Sequence, residues 1–185
     1  MIKLENVNFS YPKKLILENI NLNINCGERV ALFAPSGYGK TTILRLIMGL
    51  IKPKKGTVNI KDGSVISVVF QEDRLIPQKT VYENVKLFSD TENIDGLLDE
   101  LGIAECKNEL PKSLSGGMAR RVAIARALSK KADIYLFDEP FSGLDKDNLR
   151  STANVINKYT KDKTVILVSH SVDEANLLET KIINL

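Results

Sequence analysis

The sequence predicts an α/β protein with a mainly parallel sheet, an N-terminal antiparallel β subdomain and a small helical subdomain inserted in the core. An apolar run at residues 28–34 leads through a glycine-rich turn into a helical pattern. A second apolar run, residues 134–137, ends in two carboxylates. Short helical patterns fill residues 72–113 between these runs, and we place the inserted helical subdomain at about residues 72–130.

Composition bounds the class of protein. With 185 residues, 43% of them hydrophobic, the chain can bury the core of a single domain spanning residues 1–185. The net charge of +3 is too small to indicate a nucleic-acid groove, so we expect no nucleic-acid partner. No apolar stretch approaches the roughly 20 residues that span a bilayer, and the N-terminus has no signal pattern. We therefore expect a cytoplasmic protein.

The predicted elements follow in order. Residues 2–25 hold two strands, and in the second Ile20, Leu22 and Ile24 alternate with asparagines, as in a half-exposed antiparallel strand. Two further strands flank a turn at residues 62–63. Helical pieces follow, with Gly102 ending one of them. The remaining elements are a helix at 116–130, the buried strand, a helix at 147–159, the strand TVILVSH, a helix with a Ser171/Glu174 capping box, and a last strand, KIINL.

Residues 34–42, APSGYGKTT, have the composition of a triphosphate-binding loop between a strand and a helix. The glycines let backbone N–H groups converge on a phosphate at the helix N-terminus. The Lys40 ammonium can reach the β and γ oxygens, and the Thr41 hydroxyl can bind Mg²⁺. Ala34 stands where the usual template has its first glycine. The predicted phosphate-binding residues are Ser36, Gly37, Tyr38, Gly39, Lys40, Thr41 and Thr42.

The second half of the site is the strand at 134–137, followed by Asp138 and Glu139. A strand buried on both faces presents these carboxylates at its carboxyl end, where parallel sheets bind ligands. We predict that Asp138 holds Mg²⁺ and that Glu139 polarises the attacking water. An acidic pair alone could be an ordinary helix cap, but Lys40 and Thr41 upstream favour the catalytic interpretation.

Ser115, Gly116 and Gly117 open a helix and can bind an anion, although Ser-Gly-Gly is also an ordinary helix cap. The order of APSGYGKTT, LSGGM and IYLFDEP resembles that of ATP-binding cassette (ABC) ATPases over nearly the whole chain. Met118 stands where that family most often has Gln. The resemblance implies a P-loop nucleoside triphosphatase core and two ATP sites shared across a dimer, each completed by the partner's LSGG.

The resemblance assigns four more positions. Gln71 matches the Q-loop residue that senses Mg²⁺ and the γ-phosphate, and Asp145 lies in SGLD, which resembles the D-loop. His170 matches the switch histidine, which contacts the γ-phosphate and the catalytic carboxylate. Tyr11 matches the aromatic residue that stacks on adenine. Without the resemblance these would be a solvated Gln, a plain turn, a structural His and a packed strand aromatic. The predicted catalytic residues are Lys40, Gln71, Glu139 and His170.

We therefore expect the nucleotide-binding subunit of an ABC transporter, most similar to nitrate, sulfonate and taurine importers. The expected cofactors are ATP and Mg²⁺. The expected partners are a second copy or close paralogue, an integral membrane permease and, through it, an extracytoplasmic solute-binding protein. The subunit would lie on the inner face of the membrane.

Three alternatives have less support in the sequence. A DNA-repair or translation ABC protein would be a fused pair of cassettes or carry a coiled-coil insertion, and neither is present. A P-loop kinase or GTPase would not explain LSGG, and an inactive binding module would not explain the full set of catalytic residues. Arg120, Arg121 and Arg126, on the LSGG helix, are predicted to be surface or inter-lobe residues.

Overall fold

The computed structural model describes residues 1–12 and 14–185 and contains two sheets. The strands are β1 (Ile2–Tyr11), β2 (Lys14–Ile24), β3 (Arg29–Phe33), β4 (Lys55–Ile60), β5 (Ile66–Val69), β6 (Ile134–Asp138), β7 (Thr164–Val168) and β8 (Lys181–Asn184). The antiparallel sheet has the order β2-β1-β4, and the parallel sheet has the order β5-β6-β7-β3-β8. This architecture confirms the predicted fold class.

The helices lie mostly on one side of the parallel sheet. They are α1 (Lys40–Ile47), α2 (Val81–Lys86), α3 (Ile94–Glu100), α4 (Gly116–Leu128), α5 (Lys146–Tyr159) and α6 (Val172–Leu177), with a 3₁₀ turn at Pro111–Ser113. Helices α2, α3 and α4 lie between β5 and β6 in the chain, within residues 72–130, but treating this stretch as a subdomain stays a prediction. In residues 1–12 and 14–185 no helix is both long and apolar enough to cross a membrane.

Strand β2 shows the predicted alternation. Ile20, Leu22 and Ile24 are buried, whereas Asn21 and Asn23 are exposed. The buried face packs with β1 and α1 in one apolar cluster, which also covers one face of the parallel sheet. The glycine-rich loop and α1 therefore pack against the antiparallel sheet.

Strand β6 is buried on both faces, as predicted. Ile134 and Leu136 join the cluster with β1, β2 and α1, whereas Tyr135 and Phe137 pack with the helices on the other side. A strand with two apolar faces can expose polar groups only at its end, so Asp138 and Glu139 emerge at the carboxyl edge of the sheet.

Two helix ends test the predicted capping signals. Gly102 has φ +64°, and the Gly102 and Ile103 N–H groups donate to the carbonyls of Asp99 and Leu98, which ends α3 as predicted. The capping box at α6 is only half formed. The Ser171 hydroxyl accepts from the Glu174 N–H, but the Glu174 carboxylate accepts from the Ser169 hydroxyl. The hydrogen bond from Ser169 therefore replaces the second bond of the capping box.

Candidate ATP site

The glycine-rich loop reaches α1 through a residue that must be glycine. Gly39 has φ +96°, and a Cβ there would lie 2.7 Å from side-chain atoms of Ile16 and Leu17. The next residue, Lys40, is almost buried, and its Nζ donates to the Ala34 and Pro35 carbonyls at 2.7 and 3.3 Å. Burial lowers the pKa of Lys40, while the charges of Glu139 and Asp138 act in the opposite direction. Among the residues that the structure describes, the Lys40 ammonium therefore hydrogen-bonds only to backbone carbonyls of the loop.

An open cleft lies beside this loop. It is lined by Ser36, Gly37, Gly39, Lys40, Thr41, Thr42, Gln71, Glu139 and His170, all of them predicted site residues, together with Lys14, Ile16 and Val168. The structure therefore brings the predicted phosphate loop and the predicted catalytic residues into one cavity. Tyr38 does not line it; its side chain is exposed.

Glu139 is the centre of a polar group in this cleft. Its carboxylate lies 3.3 Å from His170 Nε2 and accepts from Gln71 Nε2 at 3.5 Å. Its backbone is left-handed, with φ +51°, and its N–H donates to the Val168 carbonyl at the end of β7. This arrangement points the carboxylate into the cleft, where it can accept a proton from a bound water.

A smaller recess beside the same loop is lined by three side chains with oxygen atoms that could bind a metal, Asp138, Thr41 and Gln71, and by Arg45. Asp138 is buried, and burial raises the pKa of its carboxyl group, while the Thr41 side chain opposes this shift. A hard divalent cation such as Mg²⁺ prefers carboxylate, hydroxyl and amide oxygens and shares its shell with phosphate and water. The donor set fits Mg²⁺.

The LSGG and SGLD segments lie elsewhere. Ser115 caps α4 by accepting from the Met118 N–H, and Asp145 caps α5 by accepting from the Asp147 and Asn148 N–H groups. The two segments touch each other, because a Cβ on Gly117 would lie 3.3 Å from the Gly143 carbonyl. Within the described part of the chain, Ser115, Gly116, Gly117 and Asp145 do not line the cleft.

Tyr11 lies at the end of β1, half exposed. Its ring packs edge-on against Phe9 at 5.1 Å, and its hydroxyl accepts from Arg45 at 3.2 Å. About 40% of the residue's surface remains exposed. Both the stacking and the packing interpretations of Tyr11 are compatible with this position.

Sequence reasoning missed three basic residues at the site. Lys14 lines the cleft, and its only signal is its position just after FSYP. Arg45 holds Tyr11. Arg120 was expected at the surface or in inter-lobe pairs; it is not at the surface, being 2% exposed, but it pairs with Asp73 and also contacts the backbone of the catalytic strand end, which was not expected. Arg121 and Arg126 do join neighbouring segments, through the carbonyls of Leu101 and Asp73 among others.

Comparisons with known proteins agree with this geometry. A family model described as ABC transporter matches residues 17–142. The chain is 42% identical to aliphatic sulfonates import ATP-binding protein SsuB 2 of Pseudomonas syringae pv. tomato, over 91% of this chain and 75% of that protein. It is 36% identical to arginine transport ATP-binding protein ArtM of Bacillus subtilis, over 99% and 86%.

A solved structure is similar over the entire chain. It is the dimeric post-hydrolysis state of the ATP-binding cassette MJ0796 bound to ADP and Pi, with a TM-score of 0.86, 34% identity, and coverage of 100% of this chain and 94% of that one. Fold, motif order and relatives thus point the same way. The chain belongs to the ABC transporter family and is an ATP-binding, ATP-hydrolysing subunit of that family.

Proposed function

We propose that two copies of this chain, or this chain and a close paralogue, close on two ATP molecules and drive import of an organic solute through a separate permease. The observation that carries this proposal is the division of the motifs. The glycine-rich loop, Glu139 and His170 share one cleft, whereas Ser115 and Gly117 lie outside it. A second copy can supply them, and the related cassette MJ0796 is itself dimeric.

Each half of the composite site has its own task in this proposal. The backbone N–H groups around Gly37 and Gly39 and the Lys40 ammonium bind the β- and γ-phosphates. Ser36, Tyr38 and Thr42 complete that loop, and Tyr11 stacks on the adenine. From the partner chain, the α4 N-terminus with Ser115, Gly116 and Gly117 contacts the γ-phosphate, while Asp145 lies at the crossing between sites.

Hydrolysis depends on side chains that already surround Glu139. Its carboxylate orients the attacking water and accepts its proton. His170 contacts the γ-phosphate, and Gln71 senses the γ-phosphate and Mg²⁺ by contact. Mg²⁺, held by Thr41, Asp138 and Gln71, would neutralise charge that develops on the phosphate oxygens. The 3.3 Å contact between His170 and Glu139 supports this division of roles.

Membership of the family supports a proposal for the partner and the location. An ABC ATPase subunit acts on a membrane permease, so we propose that this chain binds one at the inner face of the cell membrane. An extracytoplasmic solute-binding protein would deliver the solute. Because several similar relatives are named as aliphatic sulfonate import proteins, an organosulfonate is the proposed solute class.

A mixing experiment tests the shared site. Lys40→Ala destroys the phosphate loop and Ser115→Arg blocks LSGG, so each variant alone should be inactive. In a mixed dimer the intact loop of one chain meets the intact LSGG of the other, and ATP hydrolysis should return. The matched control mixes Lys40→Ala with Glu139→Gln. Those defects affect the same half of the site, so no composite site is restored. Equal activity in the two mixtures would refute the division.

The transport assignment needs its own measurement. The chain should co-purify with an integral membrane protein whose vesicles, loaded with ATP on the chain's side, accumulate a radiolabelled alkanesulfonate. Accumulation of arginine instead would change the solute class. ATP-dependent efflux would reverse the proposed direction.

A further inference from the structure

The Arg120 side chain lies inside the protein, between helix α4 and the carboxyl end of β6. Only 3% of its side-chain surface is exposed. Its Nε donates to the Pro140 carbonyl at 3.0 Å, and one terminal nitrogen donates to the carbonyls of Asp138 and Glu139. One guanidinium therefore binds three successive carbonyls around the candidate catalytic carboxylate.

The other terminal nitrogen of Arg120 faces the segment that carries Gln71. It donates to the Phe70 carbonyl at 2.6 Å, to the Gln71 carbonyl at 3.3 Å and to the Asp73 carboxylate at 3.1 Å. The rigid guanidinium plane thus sets the distance between the backbone of Gln71 and the backbone of Glu139.

Burying a guanidinium is costly, and the cost is offset only when its donors are satisfied. Asp73 is the single carboxylate that pairs with Arg120, and it is partly exposed. The remaining acceptors are backbone carbonyls, among them that of Glu139, whose left-handed conformation few side chains tolerate. The Glu139 carbonyl also accepts from the Ser142 N–H at 3.2 Å, so a local turn contact and Arg120 hold this conformation together.

We propose that Arg120 is a positioning residue for ATP hydrolysis, which fixes the backbone at residues 138–140 and at Gln71 so that the Glu139 carboxylate and the Gln71 amide meet the reacting phosphate correctly. It rests on the proposed roles of Glu139 and Gln71. Arg120 touches neither nucleotide nor water in this scheme, and it acts through those residues.

The position of Arg120 on α4 adds a second task. Ser115, the cap of the same helix, lies five residues earlier, or about 7.5 Å along the axis. A phosphate that draws the α4 N-terminus of one chain therefore pulls, through a rigid helix, on the carbonyls that hold the hydrolytic groups of that same chain. This contact links the LSGG of each chain to its own catalytic strand end and so connects the two sites of a dimer.

Arg126 provides a matched control on the same helix. Its guanidinium is half-buried and donates to the carbonyls of Asp73 and Arg74, but it makes no hydrogen bond to residues 138–140. Both arginines thus join α4 to the segment after Gln71, and only Arg120 reaches the catalytic strand end.

The experiment compares Arg120→Gln and Arg120→Lys with Arg126→Gln, each assayed well below its own Tm. We expect kcat of Arg120→Gln to fall roughly 10- to 100-fold, because a misplacement of about 1 Å can cost that much, with the KM for ATP within about threefold. Arg120→Lys, which keeps the charge and some donors, should recover part of kcat, and it serves as the test if Arg120→Gln does not fold. Arg126→Gln should lower Tm but keep kcat.

A double variant separates positioning from general destabilisation. Because Arg120 acts largely through Glu139, adding Arg120→Gln to Glu139→Gln should reduce the residual single-turnover rate far less than it reduces the wild-type rate. Cooperativity in ATP should also fall for Arg120→Gln. Unchanged kcat, equal loss of kcat in Arg126→Gln, or full additivity with Glu139→Gln would overturn the proposal. A fully active Glu139→Gln protein would instead refute the proposed function.

Discussion

The cleft beside the glycine-rich loop and the surface that carries LSGG and SGLD differ in how their polar side chains are used. In the cleft, His170 and Gln71 both contact the Glu139 carboxylate, and the Lys40 ammonium donates to loop carbonyls. At the other surface, the side-chain oxygens of Ser115 and Asp145 accept hydrogen bonds from N–H groups at the starts of their own helices. One half of the proposed site is assembled within the chain, and in the proposed dimer the other half would act on the ATP of a partner.

The largest expected effect concerns the assembled half. Glu139→Gln preserves shape, removes the base and reduces repulsion with the γ-phosphate. ATP hydrolysis should fall by about 10³-fold or more, and the protein should accumulate as an ATP-bound dimer. Size-exclusion chromatography with and without ATP measures this. A variant that remains monomeric at saturating ATP contradicts the shared site.

Ser115 allows capping to be separated from partner contact. Asp is as good an N-cap as Ser, so Ser115→Asp should keep the melting temperature, yet its charge would repel the partner's γ-phosphate and abolish the Glu139→Gln dimer. Ser115→Ala should lose about 1 kcal/mol of stability and still dimerise. Thermal unfolding and chromatography on both variants decide the matter. Loss of dimer in neither variant would make Ser115 a helix cap only.

Tyr11 should show a smaller effect. Aromatic stacking on adenine is worth on the order of 1 kcal/mol, so Tyr11→Ala should weaken ATP binding severalfold, whereas Tyr11→Trp should not. Tyr11→Phe removes the hydroxyl that accepts from Arg45 and keeps the ring. Isothermal titration of the four proteins identifies the role. Equal affinity in Tyr11→Ala and wild type returns Tyr11 to packing.

Asp145 should give the smallest effect, visible only in acid. The hydrogen bond from the Asn148 N–H, followed by that from its side chain, lowers the pKa of Asp145. Its capping contribution is therefore complete above the unfolded pKa of about 4 and is lost as the pH falls through the lower folded value. Asp145→Asn, which caps without ionising, should show a shallower loss of Tm below about pH 4. Parallel slopes for the two proteins would contradict this contribution.

The elements that the sequence predicts correctly depend on local pattern. The alternation of Ile20, Leu22 and Ile24 with asparagines places β2, and an uninterrupted apolar run places β6. The resemblance, rather than any local pattern, supplied Gln71 and His170, because a polar residue after a strand has many uses. The structure then brings both to Glu139.

Arg120 shows why the remainder could not be predicted. The run ARRVAIARA has helical character, but it does not reveal which arginine turns inward. That depends on the carbonyls of Phe70 and Pro140, which lie just after strands β5 and β6, 50 and 20 residues away in the sequence. Likewise, Glu174 was expected to complete a capping box with Ser171, yet its carboxylate accepts from the Ser169 hydroxyl instead. Ser169 comes directly after β7, and the sequence alone does not show that its hydroxyl lies close to Glu174.

The left-handed backbone of Glu139 has a consequence for the evolution of this protein. A non-glycine residue there carries a conformational cost of about 1–2 kcal/mol, and glycine would remove it. Glu139→Gly should therefore be inactive as an ATPase, although the variant no longer carries the conformational cost of the left-handed backbone. Selection for thermal stability alone would favour glycine at this position, so the presence of glutamate fits the proposed role of Glu139 in hydrolysis.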